Sequence, residues 1–318
     1  MALDEALRRA SIGGSDIAAI LNIDDYRDPY SLWVLKTGRA EAEPPTSRML
    51  LGKAFERGIL EFYANTTGRE LRYLDITEQH PTRPWMVYTP DAVCVHEPRG
   101  VDAKLVSLDQ RFRWGATSDE IPPRIQAQCW WYMAAMDFPL WDVAAVLTTG
   151  DPLFYTVERD MDLEAAMLEA AEEYWRRFLC GDEVPTPGAT LATTNYLKRA
   201  YPQHFGAKPE PANETQIALL EQYAQVRIEA KAKDTEKRAY ENQIKSIIGE
   251  TVGLEWERGV FTWKTTKASR RVDYVGLAQS LLKNYGAEER AALESEFTET
   301  RPGVRRVHFR YAGAEDDE

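Results

Sequence analysis

The stretch Tyr88–Val106, YTPDAVCVHEPRGVDAKLV, constrains this chain more than any other. It holds Pro-Asp, a gap, and then Asp-x-Lys. The link from Cys94 to Gly100 contains Pro98 and Gly100, which suit a turn, so the two segments are predicted to pair as adjacent strands. Strand alternation then puts Asp102 and Lys104 on one face and Val101, Ala103 and Leu105 on the other. A hairpin of this kind brings Asp91, Asp102 and Lys104 together. Two carboxylates and an ammonium on one half-buried face call for a neutralising partner, and a divalent cation supplies one. Oxygen ligands with room for water suit Mg²⁺ or Mn²⁺. A lysine beside metal-bound water suits phosphodiester hydrolysis.

The 318 residues allow one large core and a smaller unit. No apolar run approaches a membrane span, and MALDEALRRA lacks a secretory hydrophobic region. Cys94, Cys129 and Cys180 are scattered and without metal spacing, which fits a reducing cytoplasm. Four histidines without HxH or HxxxH argue against zinc. The net charge of −12 excludes a broadly basic surface but not a local basic groove, and Arg111–Arg124 and Arg301–Arg310 hold clusters of arginine.

Residues 1–180 alternate helical and strand patterns, predicting an α/β domain with a mixed sheet and helices on both faces. Helices are expected from Ser15 to Leu21 with Ser15 as N-cap, from Asp28 to Gly38, from Ser47 to Gly68, over Pro122–Met136 and over Asp162–Leu179. In the third, Leu51, Phe55, Ile59, Phe62 and Tyr63 share an apolar face. Strands are expected at Glu70–Asp75, Met86–Thr89, Ala92–His96, Val101–Ser107 and Trp141–Thr148. The proline-rich segment 181–212 is expected to be a linker or an irregular segment packed on the core. Residues 213–318 are expected to form an accessory unit. It opens on one long helix, Asn213–Gly249, with a capping box at Asn213 and Gln216 and a heptad seam weakened by Lys233 and Lys237. A hairpin around Arg258-Gly259, two short helices and a strand near Val304–Tyr311 follow.

Other candidate residues admit two readings each. Glu56 lies among the apolar residues of the third helix. It is either an acid turned to the site or a surface residue paired with Lys53. Gln126 and Gln128 either support the lysine or form a polar helix edge, and Gln128 sits one turn from Tyr132. Arg8 and Ser15 flank two glycines in RRASIGGSD. They suit a phosphate, although Ser15 can equally be a simple cap. No GK[ST] follows, so a nucleoside triphosphatase is not indicated.

Arg8 with IGGSD, LGKAFE ending in Glu56, TPD ending in Asp91, DAK and QAQ occur in this order over about residues 5–180. In that order they resemble the lambda-exonuclease/YqaJ branch of the PD-(D/E)xK nucleases. The resemblance implies a three-layer α/β/α restriction-endonuclease-like core and a Mg²⁺-dependent deoxyribonuclease, with Mn²⁺ as a substitute, digesting linear duplex DNA from 5′ to 3′. It implies Asp91, Asp102 and the Ala103 carbonyl as metal ligands, with Glu56 at a second metal or its water. Lys104 would activate water, and Gln126 or Gln128 would support Lys104. Arg8, Ser15 and Thr89 would hold a 5′-phosphate. It further implies double-stranded DNA ends as substrate, a single-strand annealing protein as partner, homo-oligomerisation, and the cytoplasm of a bacterial host as location if the chain is phage-encoded. Asp102 stands where this branch usually has Glu. Residues beyond 212 have no counterpart in its minimal members. Three scattered cysteines do not match the four of its iron–sulphur relatives. A structure- or sequence-specific endonuclease and a non-catalytic DNA-end binder are the competing expectations.

Overall fold

The computed structural model describes residues 2–74, 76–206, 208–256, 259–267, 271–299, 305 and 307. It divides into two compact units, Met1–Tyr201 and Pro202–Glu318.

In the first unit α1 (Ala2–Ala10), α2 (Gly14–Ile20), α3 (Pro29–Lys36) and α4 (Ser47–Thr67) come first. The strands β1 (Leu71–Tyr73), β2 (Glu78–Gln79), β3 (Val87–Tyr88), β4 (Ala92–Cys94) and β5 (Arg99–Val106) follow. Then come α5 (Pro123–Met136), β6 (Leu140–Leu147), β7 (Pro152–Glu158), α6 (Met161–Tyr174) and α7 (Leu191–Ala200). The main sheet has the order β1-β4-β5-β6-β7. Only β5 and β6 run parallel; β1–β4, β4–β5 and β6–β7 are antiparallel. A parallel neighbour needs a crossover, and α5 is that crossover.

Alternation along β5 and β6 decides the layers. Val101 and Ala144 face α4, where they pack with Ile59, Leu60 and Tyr63. Trp141, Val143 and Ala145 face the other way, onto the larger cluster that includes Trp131 and Tyr132 of α5 and Ile17 of α2. Helices therefore cover both faces of a mixed sheet, the expected three-layer α/β/α arrangement. Gly100 is required by this packing, because a Cβ there would overlap the Trp141 indole.

Four expectations need correction. Gly13, not Ser15, is the N-cap of α2; Asp16 accepts the Gly13 N–H at 3.0 Å and leaves Ser15 in the first turn, exposed. Leu51, Phe55 and Phe62 stay exposed; only the end of α4 with Ile59, Leu60 and Tyr63 is buried against the sheet. The strand β7 was not anticipated. The segment 181–212 is not wholly a linker, since it carries α7 and the first unit continues to Tyr201. Asp28, fully buried at the start of α3, accepts from Thr190 Oγ1 at 2.7 Å and from Thr193 Oγ1 at 2.7 Å, which docks the start of α7 on the core. Burial alone would raise the Asp28 carboxyl. Its hydrogen bonds from Thr190, Ser31 and Thr193 outweigh this and hold it below the usual range.

The second unit contains α8 (Glu214–Ile248), capped by Asn213 and Gln216 as expected, the hairpin β8 (Gly253–Trp256) and β9 (Gly259–Thr262), and the helices α9 (Tyr274–Leu282) and α10 (Ala287–Glu296). On α8 the seam residues Tyr223, Val226, Tyr240 and Ile247 are exposed. The expected strand near Val304–Tyr311 falls largely outside the described residues, as do Arg270, Arg306 and Arg310. No helix among the described residues is long and apolar enough to cross a membrane.

Candidate active site

Unequal strand lengths open the site. β4 pairs with β5 through Ala92↔Val101 and Val93↔Gly100, so among the described residues β5 beyond Val101 has no antiparallel neighbour. Asp91 sits just before β4 and turns back over this free edge, where its Oδ2 accepts the Ala103 N–H at 2.8 Å. The N–H and C=O of one strand residue point to the same edge, so the Ala103 carbonyl faces the Asp91 side too. Asp102, only 2% exposed, accepts a hydrogen bond from Lys104, which shares its face. The expected convergence of Asp91, Asp102 and Lys104 is thus a direct result of pairing β4 with β5.

The three groups strain one another electrostatically. Burial and then the neighbouring Asp102 carboxylate push the Asp91 carboxyl up to about 8, against the pull of Lys104 and the Ala103 N–H. Burial works to lower the Lys104 ammonium, but Asp102 and Asp91 outweigh it and hold it above its ordinary value. Two buried carboxylates share one ammonium, an arrangement short of one positive charge.

A cleft of about 400 Å³ opens over this edge. Nine of the ten candidate residues line it: Arg8, Ser15, Glu56, Thr89, Asp91, Asp102, Ala103, Lys104 and Gln128. Gln126 does not. Its Nε2 donates to Ser118 O at 2.9 Å, on a separate groove with Trp130 and Arg159. Gln128 donates to Tyr132 Oη at 3.0 Å, and Tyr132 donates to the Thr89 carbonyl at 3.2 Å. Burial, then Asp102, push the Tyr132 phenol well above its ordinary value, so it remains a donor. The bound partner of Gln128 is therefore Tyr132, not Lys104. A Cβ on Gly14 would lie 2.8 Å from the Tyr132 ring, which is why the α2 start can close on it.

At the other end of the cleft Arg8 donates to Thr77 Oγ1 at 3.0 Å, and Thr77 shares a 2.9 Å hydrogen bond with Thr89. Glu56 pairs with Lys53 at 2.8 Å, the alternative foreseen from their spacing, while still lining the cleft. Among the described residues no three His, Cys, Asp or Glu side chains form a ready-made metal cluster. The donor set that does converge is Asp91, Asp102 and a backbone carbonyl. It is all oxygen and carries uncompensated negative charge, so it fits a hard divalent cation that keeps several waters.

Sequence reasoning missed Lys36 and Asp16. Lys36 Nζ lies 2.6 Å from Asp16 Oδ2 and donates to the carbonyls of Arg8 at 2.6 Å and Ser11 at 2.8 Å. It pins the end of α1, which carries Arg8, to the start of α2, which carries Ser15. The signal was a lysine closing the apolar run of α3. Both side chains are nearly buried, and removing one partner of such a pair costs ~3–5 kcal/mol. Lys36→Met is therefore expected to lower the unfolding temperature markedly in differential scanning calorimetry. A melting temperature equal to that of the parent would refute the pinning role.

The sequence model of the YqaJ-like viral recombinase domain matches residues 5–139, which span every cleft residue named above. The chain is 26% identical over 251 residues to the uncharacterized protein YqaJ of Bacillus subtilis (strain 168), covering 77% of this chain and 78% of that protein. Among solved structures it resembles an alkaline exonuclease, LHK-Exo, from Laribacter hongkongensis. That likeness has 16% identity and a TM-score of 0.46, over 63% of this chain and 97% of the other. A phage-related exonuclease from Haemophilus somnus 129PT aligns at 12% identity and a TM-score of 0.42, over 54% of this chain and 95% of the other. The match over residues 5–139 is to the same branch that the ordered motifs resemble.

Proposed function

We propose that the chain is a metal-dependent deoxyribonuclease that digests linear double-stranded DNA from 5′-phosphorylated ends, using Mg²⁺ or Mn²⁺ held by Asp91, Asp102 and the Ala103 carbonyl. The observation that carries this reading is the placement of Asp91, Asp102 and Lys104 in one cleft with Arg8, Ser15 and Thr89. A divalent cation bound there supplies charge neutralisation on the phosphate and a water acidic enough to attack it. Lys104, steadied by Asp102, donates to the attacking water and to the charge that builds on the phosphate. Arg8, oriented by Thr77, and the Ser15 hydroxyl bind the terminal phosphate. Gln128 and Tyr132 hold the Thr89 backbone on the wall of the cleft.

The test compares linear duplexes carrying 5′-phosphate or 5′-hydroxyl ends. A charge-assisted hydrogen bond contributes ~1.5–3 kcal/mol, so Arg8→Ala should slow digestion of the phosphorylated duplex by ~10–100-fold and the hydroxyl duplex far less. Equal losses on the two substrates would reduce Arg8 to a structural role. No nucleotide release by the parent protein with either metal would overturn the nuclease reading altogether.

A further inference from the structure

We propose that the β8–β9 hairpin of the C-terminal unit is a stacking platform for single-stranded DNA. The inference rests on the nuclease reading only in naming the source of that strand, which digestion of one strand of a duplex leaves behind.

The register puts the apolar residues on one face. Leu254 pairs with Phe261 and Trp256 with Gly259, and Trp263 N donates to Val252 O at 2.9 Å, which adds the pair Val252–Trp263. Directly opposed residues of an antiparallel pair share a face. Val252, Leu254, Trp256, Phe261 and Trp263 therefore stand together. They are not covered: Trp256 is 55% exposed and Trp263 51%. A Cβ on Gly259 would lie 3.1 Å from the Trp256 ring, so the glycine is what lets the indole lie across β9.

The surroundings say what this face takes. Lys264 follows Trp263 directly, and Lys267 and Arg271 come within eight residues of it. None of the three forms an ion pair with a described residue. Alternation puts Glu255 and Lys264 alike on the opposite face, and only the long stem of Lys264 can carry its charge round the edge of β9 to the indoles. Exposed indoles on a segment whose cations have no ion pair among the described residues match a ligand that is flat, apolar and polyanionic. Every nucleobase has a π-face for the indoles, and the backbone supplies phosphates for the lysines. A second copy of the chain fits poorly. A twofold contact through this face would bring both sets of cations together. Five side chains are also few against the ~20–30 residues a side of a stable interface.

The experiment uses the full chain with EDTA and a short dye-labelled oligothymidylate, read by fluorescence anisotropy over a salt series. Each lost stacking contact weakens binding by ~5-fold or more, so Trp256→Ala with Trp263→Ala should lose well over tenfold. The conservative Trp263→Phe should keep most of the affinity, which separates stacking from misfolding. Leu219→Ala, an exposed apolar change on α8, should leave it unchanged. Lys267→Gln should flatten the log–log salt slope by ~0.7. Unchanged affinity in the double alanine variant overturns the proposal. So does unchanged affinity accompanied by loss of a dimer in sedimentation, which would assign the face to a second copy. Because binding is read without metal, a parent protein that binds the strand but releases no nucleotide with Mg²⁺ or Mn²⁺ would refute the nuclease reading and leave this one standing.

Discussion

Replacing Lys104 by alanine is expected to slow phosphodiester hydrolysis by ~10²–10⁴-fold while duplex binding stays close to that of the parent. The asymmetry follows from where the ammonium sits. It is turned onto Asp102, inside the face shared with α5, and is not an open phosphate contact. Its worth in the ground state is therefore small. Charge develops on the phosphate and the attacking water only on the way to the transition state, and a preorganised cation is worth most there. The variant also leaves Asp102 buried without its partner. The metal-free variant should unfold at lower temperature than the parent, and saturating Mn²⁺ should close much of that gap. Single-turnover digestion together with filter-binding on a non-cleaved duplex separates the two effects. Parallel losses of binding and turnover would make Lys104 a DNA contact and remove its chemical role.

How much of this site could be read in advance depended on the period of the element carrying each residue. Asp102 and Lys104 are two apart on a strand, and a period of two leaves no freedom: both must share a face. Asp91 followed once Pro98 and Gly100 had predicted the turn. Gln126 and Gln128 are also two apart, but on a helix that separation is about 200°, so at most one could face the cleft and spacing could not say which. Ser15 was expected to cap α2, because a serine after two glycines suits an N-cap. The structure makes Gly13 the cap, its N–H bound by Asp16, and so leaves Ser15 to the cleft.

Other features depended on distant partners that no local pattern reveals. α7 docks because Thr190 and Thr193 find Asp28 more than 160 positions away, so a proline-rich composition suggested a linker where hydrogen bonds make a packed helix. β7 is an edge strand with Pro152 as its first residue, two settings in which a strand tolerates proline, and its pattern was correspondingly weak. Lys36 was invisible for a similar reason. A lysine at a helix end normally complements the dipole and reaches solvent. Here three acceptors, from α1, α2 and the turn between them, draw it inward.

Asp91→Asn should have effects of opposite sign on stability and activity. The amide can still accept the Ala103 N–H, so the edge of β5 keeps its cover. What disappears is a negative charge that burial and Asp102 already disfavour. In the metal-free parent the folded-state pKa of Asp91 is raised to about 8 from 3.8, so between these values the native state holds more protons than the unfolded chain. By linkage, stability contributed by this group is full below about pH 4 and is lost as pH rises toward 8, at up to ~1.4 kcal/mol per unit. With EDTA the parent should therefore melt at progressively lower temperature from pH 5 to 8, and Asp91→Asn should be flatter and more stable at the alkaline end. Divalent metal should invert the ranking. On the proposed reading it would bind the ionised pair of the parent, stabilise that protein by mass action, and find too little charge in the variant. Hydrolysis should accordingly vanish in the variant that is better folded without metal. Parallel melting profiles with pH, or undiminished Mn²⁺ binding to Asp91→Asn by calorimetry, would remove Asp91 from the metal site and leave the cleft without its central anion.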